Sequence, residues 1–508
     1  MSKLSKNIIY NLLGHVLLLI LGFVAVKNIF QALGEDALGI IFFTTLLNTI
    51  IRTVMQRGIS STIVREVSAH YLNNSQYIKR LVQTFTLLHW AVFLLLSMAL
   101  YLIAPVLVHK WIHLKTMTPA AAIEILRMLG VASLVALPVS FYASLLNGIQ
   151  RMGHSNSIDV FTTAWQQFSA VVVLHFGGNL FQVVYCLVAG YALRVILYWS
   201  ACVRFFKIAS MIPRYSFEVL KTSWQFMSRM IFISVITPLR TQLDKVIISK
   251  ILPIGILGYY SVAYTNISRG QLLTRSISAA AYPSFAELFQ AKNYTAMEQQ
   301  YHRLQDLICL LIMPVFAGIA FVAQPLFSYV LNREAAAMLQ WPIIFLCLGF
   351  YLNGTLNIPH VVALAMGKPG ILARQSLYSF LVVIPLSVPI IYYGGLIGAG
   401  LAWVLDHLFL YTYFVPRFCR ECLHSPSGAW FKHVGRILML ALLSYGIMGL
   451  MLVATRSNSL FALLLGYGVG TILFLAGAWL IMSAELKEVI MERSRLVFAK
   501  LGLVGSVS

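Results

Sequence analysis

Charged residues are scarce in this 508-residue sequence. They make up 10% of the chain, and hydrophobic residues make up 59%. Soluble globular proteins carry about a quarter charged and roughly half apolar residues, so this composition excludes that class. A Ser/Pro/Gly-rich linker, a low-complexity tract and a long polar stretch are also missing, which excludes a string of soluble domains. We therefore expect nearly the whole chain to lie in or against a lipid bilayer.

Cysteines are few, and the common motifs of enzymes are absent. Four of the six cysteines lie in or beside apolar runs, as small core residues do. Cys419 and Cys422 have the C-x-x-C spacing, but no second ligand pair accompanies them, so we predict no metal site. The sequence contains no phosphate-binding Gly-rich loop, no G-x-S-x-G and no H-E-x-x-H. We expect neither an enzyme nor a resident cofactor.

Acidic residues are far fewer than basic ones. The chain has 16 Asp and Glu against 37 Lys and Arg, a formal net charge of +21. In a soluble protein this excess would indicate nucleic-acid binding. Here the cations are spread over many short loops and no groove-reading motif accompanies them. We expect no nucleic-acid partner, because cationic cytoplasmic loops are what orients membrane helices.

Long apolar runs dominate the sequence. A bilayer core of about 30 Å needs about 20 helical residues, and only helices or closed barrels can cross it. Fourteen runs qualify, which predicts an all-α polytopic membrane protein with about fourteen transmembrane helices: Ile8–Phe30, Leu38–Met55, Leu81–Val108, Ala121–Leu146, Val160–Phe176, Phe181–Val203, Phe226–Leu252, Gly255–Tyr282, Leu307–Leu331, Trp341–Met366, Ile371–Tyr392, Ile397–Tyr413, Ile437–Val453 and Leu460–Met482.

Loop charges predict the orientation of these helices. If the amino terminus is cytoplasmic, 23 of the Lys and Arg residues fall on the cytoplasmic side and 5 on the opposite side. Cytoplasmic loops of membrane proteins carry such an excess, and one missed helix would have mixed the two sides. The sequence therefore predicts that both termini are cytoplasmic.

Nine cations remain inside the predicted helices. A charge in the bilayer costs about 2.5–3.5 kcal/mol on insertion scales and normally faces a bundle interior or a water-filled cavity. Lys27 lies near the outer end of its helix, and four arginines lie near enough to helix ends to reach the interface, with an interior position as the alternative: Arg127, Arg194, Arg229 and Arg275.

Arg52, Arg240 and Arg269 are harder to assign to helix ends. Arg240 lies beside a polar stripe that includes Asp244, four residues further on, and the two can pair on one helix surface. Pro238 in the same stretch predicts a kink that frees backbone carbonyls. We predict that the three arginines and Lys245 line one cavity. The alternative is that Asp244 only neutralises Arg240 or Lys245 as a static strut.

An arginine-lined cavity indicates an anionic cargo. The guanidinium group matches phosphate oxygens with two hydrogen bonds at once, so a diphosphate-bearing lipid fits and a cationic drug does not. With no ATP site in the sequence, the energy must come from an ion gradient, the membrane potential or the cargo gradient. Asp244 and Asp406 are the candidate sites for a coupling proton or Na⁺, since both carboxylates lie at membrane depth.

Several segments resemble one family of exporters. Thr241–Leu252 (TQLDKVIISKIL) and Gly258–Tyr264 (GYYSVAY) resemble the central signature of the Wzx-type polysaccharide and O-antigen flippases of the multidrug/oligosaccharidyl-lipid/polysaccharide (MOP) superfamily. Leu33–Gly39 is similar to their first outer turn. Gly58–Glu66 and Asn147–Arg151 are similar to their first two cytoplasmic loops. The resemblance covers roughly the first 290 residues.

The resemblance implies an architecture and a function. It implies six-helix bundles over residues 1–212 and 213–425, related by pseudo-twofold symmetry, and two further helices with a cytoplasmic tail in 426–508. The implied activity is moving undecaprenyl-diphosphate-linked oligosaccharide repeat units from the cytoplasmic to the periplasmic leaflet of the bacterial inner membrane. Membrane lipids, a glycan polymerase and a chain-length regulator are the implied partners.

Three other functions stay open. Lipid II export for peptidoglycan belongs to the same superfamily and shares the helix count and the cationic cavity. Multidrug or cation antiport is disfavoured, because that branch typically has twelve helices and uses carboxylates. A membrane-embedded glycan polymerase or ligase belongs to another class, and such enzymes usually need a large periplasmic loop that this sequence lacks.

Overall fold

The computed structural model describes residues 3–55, 59–71, 73–455, 459–483 and 486–492. Side chains are described from residue 18 onward within these ranges, except at 61, 222, 223, 225–233, 235 and 237. Arg229, one of the cations singled out in the sequence, therefore has its side chain outside the described residues.

The described residues form eighteen α-helices, with two π-helical turns at Cys419–Leu423 and Leu442–Gly446. In chain order the helices are α1 (Lys3–Met55), α2 (Ser61–His70), α3 (Ser75–Lys110), α4 (Pro119–Leu134), α5 (Ala136–Gly148), α6 (Met152–His175), α7 (Leu180–Phe206), α8 (Ile208–Met211), α9 (Phe217–Ile251), α10 (Ile254–Ser268), α11 (Gln271–Gln290), α12 (Tyr294–Val330), α13 (Arg333–Thr355), α14 (Asn357–Ala365), α15 (Pro369–Phe418), α16 (Ser427–Ala441), α17 (Ile447–Ala454) and α18 (Leu460–Ile481).

The predicted all-α membrane architecture is confirmed. Each of the fourteen predicted segments coincides with one helix, with part of one, or with two helices joined by a short break. Nine helical stretches in the described part of the chain are long and apolar enough to cross a bilayer. The 53-residue α1 and the 50-residue α15 each hold two predicted segments, joined at Gly34 (φ 83°) and Gly395 (φ 53°). Glycine adopts positive φ without the Cβ clash that other residues meet, so the helix axis can turn within one residue.

Three predicted spans are interrupted where the sequence pattern showed a single helix. The break between α10 and α11 falls at Arg269 and Gly270, and that between α13 and α14 falls at Leu356. A third lies at Val135, between α4 and α5. Hydropathy does not register such breaks, because an interruption of the α-helical hydrogen bonds at one or two residues leaves the mean hydropathy of a 20-residue window unchanged.

The chain divides into two compact units. The first comprises Met1–Val262 with Tyr329–Ala335, and the second comprises Ala263–Ser328 with Ala336–Ser508. The domain limits expected from the family resemblance, 1–212, 213–425 and 426–508, stay predictions.

The first unit has an apolar core where α2, α3, α5, α7 and α8 meet, built around buried residues such as Phe85, Phe141 and Tyr142. At the opposite end α1 passes directly against α10. A Cβ atom on Gly39 would lie 2.2 Å from the carbonyl oxygen of Ile254, so only glycine fits there. Asp36 accepts backbone N–H bonds from Lys115, Thr116 and Met117 at 2.7–3.0 Å, which holds the connection between α3 and α4.

The second unit is held by aromatic contacts and by polar links to the carboxy-terminal helices. Phe350 contacts the rings of Tyr264, Phe316 and Trp403 at centroid distances of 5.1–6.4 Å. Asp306 on α12 pairs with His433 on α16 at 2.6 Å and accepts the backbone N–H of Ser483 at 2.8 Å. Through these contacts α16 and the end of α18 are tied to α12.

Candidate functional site

Arg52 lies in the last turn of α1, and its side chain is exposed. Its electrostatic neighbours come from α6 and α7: the cation Arg194, the carboxylate Asp159, and the phenols Tyr191 and Tyr198. The guanidinium is therefore surrounded by charged and polar groups while one side stays open. Charged and polar neighbours of this kind are what a bundle interior or a water-filled cavity supplies to a cation at membrane depth.

Arg194 and Asp159 form an ion pair across the α6–α7 hairpin. Arg194 Nη2 lies 2.5 Å from Asp159 Oδ1, and the hydroxyl of Tyr198 donates to the same oxygen at 2.8 Å. Tyr198 is buried, whereas 43% of the Asp159 side chain is exposed. Because Tyr198 is held by packing, it fixes the position of the carboxylate. Asp159 can still meet water or a ligand.

Helical periodicity gives no sign of this cluster. The sequence predicts Arg194 at a helix end, with an interior position as the alternative, and Asp159 does not stand out in it. A usable signal was present, because α6 and α7 are antiparallel neighbours joined at Gly177-Gly178, and the two residues lie at similar distances from that turn. Residues equally far from a tight turn lie level with one another on the paired helices.

Arg52 and Arg194 together place two guanidinium groups near one carboxylate. Arginine stays protonated at any physiological pH, and Asp159 neutralises one of the two cations. An excess positive charge remains at an accessible position in the first unit. Such a site favours an anion with several oxygens, such as a phosphate or diphosphate, which can accept paired hydrogen bonds from guanidinium.

Asp244 and Lys245 on α9 form a second ion pair, and this one is buried. Lys245 Nζ lies 3.3 Å and 3.4 Å from the two carboxylate oxygens, and the hydroxyl of Tyr260 on α10 donates to Asp244 at 2.8 Å. Both charged side chains are buried, at 7% exposed for Asp244 and 5% for Lys245. The structure thus bonds Asp244 to Lys245 and Tyr260. Pairing with Arg240, which is half-buried one turn earlier on α9, stays a prediction.

Arg269 belongs to the second unit. It lies at the break between α10 and α11, where its Nη1 donates to the side-chain oxygen of Asn266 at 3.2 Å, and it is half-buried. The predicted meeting of Arg52, Arg240 and Arg269 in one cavity stays a prediction.

Asp406 also lies in the second unit, buried in the second half of α15. The hydroxyl of Ser379, from the first half of the same helix, donates to its carboxylate. The neighbouring His407 contacts the carbonyl oxygen of Trp403 through Nδ1 at 2.8 Å and the amide nitrogen of Asn353 through Nε2 at 2.9 Å. A carbonyl oxygen can only accept, so Nδ1 carries the proton and Nε2 accepts from Asn353.

Two further polar residues in the predicted spans, Asn357 and His360, have hydrogen-bond partners. Asn357 donates to Thr274 at 3.0 Å, and His360 contacts Gln375 at 3.1 Å. Among the residues that the structure describes, no group of three or more His, Cys, Asp and Glu side chains could hold a metal ion. The candidate functional groups are the charged clusters of the first unit and the single residues Arg269 and Asp406 of the second.

Known structures share this arrangement of helices. A lipid II flippase, MurJ, in an inward closed conformation superposes with a TM-score of 0.72, covering 92% of this chain and 98% of that chain at 15% identity. An inward-facing multidrug resistance MATE family transporter of the MOP superfamily superposes with a TM-score of 0.65, covering 79% and 95% at 13% identity. The fold is therefore that of the MOP transporters, and the chain is a multi-pass membrane protein.

Sequence comparison identifies the protein family. The profile of the polysaccharide biosynthesis protein family matches residues 4–289, more than half of the chain. A protein of Shigella flexneri that carries the provisional name O-antigen transporter is 20% identical over 425 residues, which cover 80% of this chain and 97% of that one. The chain belongs to the polysaccharide biosynthesis protein family.

Proposed function

We propose that this protein is a flippase that moves undecaprenyl-diphosphate-linked oligosaccharide, an O-antigen or exopolysaccharide repeat unit, from the cytoplasmic to the periplasmic leaflet. It works by alternating access in the bacterial inner membrane and is coupled to a gradient of protons or Na⁺. The family membership and the transporter fold support the general activity. The observation that carries the choice of cargo is the cluster of Arg52, Arg194 and Asp159.

The charge of this cluster suits a diphosphate. Two guanidinium groups can each donate a pair of hydrogen bonds to phosphate oxygens, and Asp159 already occupies part of this bonding capacity. In the empty carrier Asp159 holds Arg194 in position. An arriving diphosphate competes with that carboxylate for Arg194, while Arg52 supplies the excess positive charge that attracts it. In the proposed cavity Arg240 and Arg269 contribute further positive charge, and the sugars occupy the wet space beside it. The charge of Lys245 is neutralised by Asp244.

Release of the cargo needs a source of free energy, and the acidic residues at membrane depth are candidate sites for coupling transport to an ion gradient. Asp244 and Asp406 are buried and hydrogen bonded, and each would bind a coupling cation or proton at a different stage of the cycle. The energy of an ion gradient would then shift the carrier between its inward and outward states. No catalytic step is needed for this activity, and the relatives named above are called transporters or flippases.

Lipid II export is the second candidate, since its carrier lipid presents the same diphosphate and MurJ shares the fold. The family match and the Shigella relative favour a polysaccharide precursor instead. Export of cationic drugs conflicts with the excess of arginine over carboxylate at the cluster. A glycan polymerase or ligase has no support from the comparisons.

Binding measurements with two lipids test the proposed identity of the cargo. Purified protein is titrated with undecaprenyl-diphosphate-linked oligosaccharide and with a neutral glycolipid carrying the same sugars. Each of Arg52→Ala, Arg240→Ala and Arg269→Ala should weaken binding of the diphosphate lipid by roughly ten- to a hundredfold, because each removes a charge-assisted contact of about 1.5–3 kcal/mol. Arg→Lys should fall between wild type and Arg→Ala, since lysine keeps the charge and loses the paired donors.

Arg127→Ala is the matched control. Arg127 lies on α4, where its Nε donates to the carbonyl oxygen of Tyr101 at 3.0 Å and its guanidinium rests 4.2 Å from the ring of Tyr101. Its loss should leave both affinities unchanged. Equal weakening for the charged and the neutral lipid would mean that the tested arginines are structural. Unchanged affinity for both lipids would remove them from the site.

A further inference from the structure

A cavity lies in the second unit where two membrane-spanning stretches meet. The apolar stretch Pro369–Leu423 ends there, and the next one, Ser427–Ala454, begins. The cavity has a volume of about 660 Å³ and is lined by residues from the last turns of α15, from the connection and from the start of α16. Because it lies between the end of one span and the start of the next, it is at the level of the lipid headgroups rather than in the hydrocarbon core.

The lining of this cavity is basic. Arg417, Arg420 and His424 line it together with the hydroxyl-bearing residues Ser425 and Ser427. None of the nine lining residues, all within the described part of the chain, is acidic. Two permanent cations and one titratable ring therefore face a common space of a size that can hold a phosphodiester headgroup. A cavity of this kind selects for anions.

Local contacts hold the basic residues of the lining in position. The guanidinium of Arg417 rests 3.7 Å from the ring centre of Tyr413, and its Nη1 donates to the carbonyl oxygen of Tyr413 at 3.1 Å. His424 has left-handed backbone geometry (φ 52°, ψ 29°), and the backbone N–H of Ser425 returns to the carbonyl oxygen of Cys419 at 3.1 Å. The π-helical turn and the reversal at His424 thereby fold the connection back over the end of α15.

The start of α16 adds hydrogen-bond donors on the same side. The first N–H groups of a helix have no partner within the helix. Pro426, the residue before the first turn, gives them no side-chain cap, and Ser427 lines the cavity. A phosphate oxygen near this terminus would accept those bonds, with the helix dipole adding to the attraction of the side chains.

The location decides which anion is available. On the orientation predicted from loop charges, this end of α15 is cytoplasmic, and the cytoplasmic leaflet is where anionic lipids create a negative surface potential. Tyr413 beside the cavity is of the aromatic type that concentrates at membrane interfaces. Basic pockets between helices on the cytoplasmic side are suited to phosphate-bearing headgroups.

We propose that this cavity binds the headgroup of an anionic bilayer phospholipid, with Arg417 and Arg420 on the phosphate and Ser425, Ser427 and the first amides of α16 completing the bonds. The lipid would hold α16 against the end of α15 and so fix the two carboxy-terminal spans to the rest of the second unit. The site does not depend on the identity of the transported cargo.

The test compares two double variants, each of which removes two positive charges from the neighbourhood of the cavity. Arg417→Gln/Arg420→Gln removes the two arginines that line the cavity. The control, Lys432→Gln/Arg436→Gln, removes two exposed cations of α16 that do not line it. Purified full-length protein in neutral detergent is titrated with phosphatidylglycerol, phosphatidylethanolamine and inorganic phosphate, and bound lipid is counted by native mass spectrometry. Arg420→Gln alone, at an exposed side chain, is the variant to use if the double variant fails to fold.

The expected result is selective binding of phosphatidylglycerol. The cavity variant should weaken it by roughly ten- to a hundredfold, Arg420→Gln by about tenfold, and the control by less than about threefold. Equal weakening in both double variants would assign the effect to surface charge and overturn the proposal. Binding of phosphatidylethanolamine as tight as phosphatidylglycerol would overturn it too, and so would inorganic phosphate binding as tightly as the lipid, which would make the cavity a free-anion site.

Discussion

The buried pair of Asp244 and Lys245 allows a static strut to be distinguished from an ion-coupling site. Both side chains are almost entirely removed from solvent, and Tyr260 donates a third bond to the carboxylate at 2.8 Å. The perturbations are Asp244→Asn, Lys245→Met and the two together. Each single change leaves one charge buried without its partner, whereas the double change replaces the pair by neutral groups of similar volume.

The expected losses of unfolding free energy follow from the burial of the pair. Removing one partner of a buried ion pair costs about 3–5 kcal/mol, and replacing both by neutral residues of similar size is often nearly neutral. We therefore expect each single variant to lose about 3–5 kcal/mol of unfolding free energy and the double variant to recover most of it. Lys250→Met is the matched control on the same helix. Lys250 is exposed and bonds the carbonyl oxygen of Lys110, so its loss should cost less than about 1 kcal/mol.

Two assays on the same protein preparations complete the test. Unfolding free energy is measured in detergent, and cargo transport is measured in proteoliposomes with an imposed ion gradient. A static strut predicts that the double variant recovers both stability and transport. An ion-coupling role for Asp244 predicts that it recovers stability alone. A loss below about 1 kcal/mol in both single variants would refute the reasoning from burial.

Two further predictions concern orientation and the second carboxylate. In a background without the six native cysteines, a single cysteine at Asn179 should react with an impermeant maleimide from the periplasm and one at Asn293 should not; both positions are exposed in the structure, and labelling at Asn293 in intact cells would reverse the topology. Asp406→Asn should reduce ion-driven export at unchanged protein level, whereas Ser379→Ala, which keeps the carboxylate, should preserve it. Normal export by Asp406→Asn across proton and Na⁺ gradients would exclude Asp406 from coupling.

The helical architecture could be predicted because the bilayer imposes it. A span needs about 20 apolar residues, and the backbone inside lipid must bond to itself, so hydropathy alone locates the helices. The joints between them depend on single residues. Gly34 and Gly395 each turn the chain sharply between two predicted spans, and the turn at Leu356 interrupts a span that hydropathy shows as whole. A pattern averaged over a window of that length contains no signal for such positions.

The candidate site was less predictable, because helical periodicity reports only neighbours three or four residues apart. The four-residue spacing indicates Arg240 as a partner of Asp244, and that pairing stays a prediction. The structure shows the flexible side chain of Lys245, the alternative partner, turned back onto the carboxylate one residue before it. The pair of Asp159 and Arg194 joins two helices, and no spacing within one helix reports it. Asn353, Asn357 and His360 lie close together in the sequence, yet their side chains contact different partners: His407, Thr274 and Gln375.

The pairing of charges in the first unit separates the groups that hold the fold from those that can act on cargo. Asp244 and Lys245 neutralise one another in a buried position, and such a pair adds little attraction for a distant anion. Arg194 is neutralised by Asp159, but 43% of that carboxylate is exposed and can exchange its partner. Arg52 is accessible beside them and supplies the excess charge. If the proposed cargo is correct, a diphosphate bound at Arg52 would compete with Asp159 for Arg194. Asp159 would then limit how tightly the cargo is held and help its release, which a carrier requires and a storage site does not.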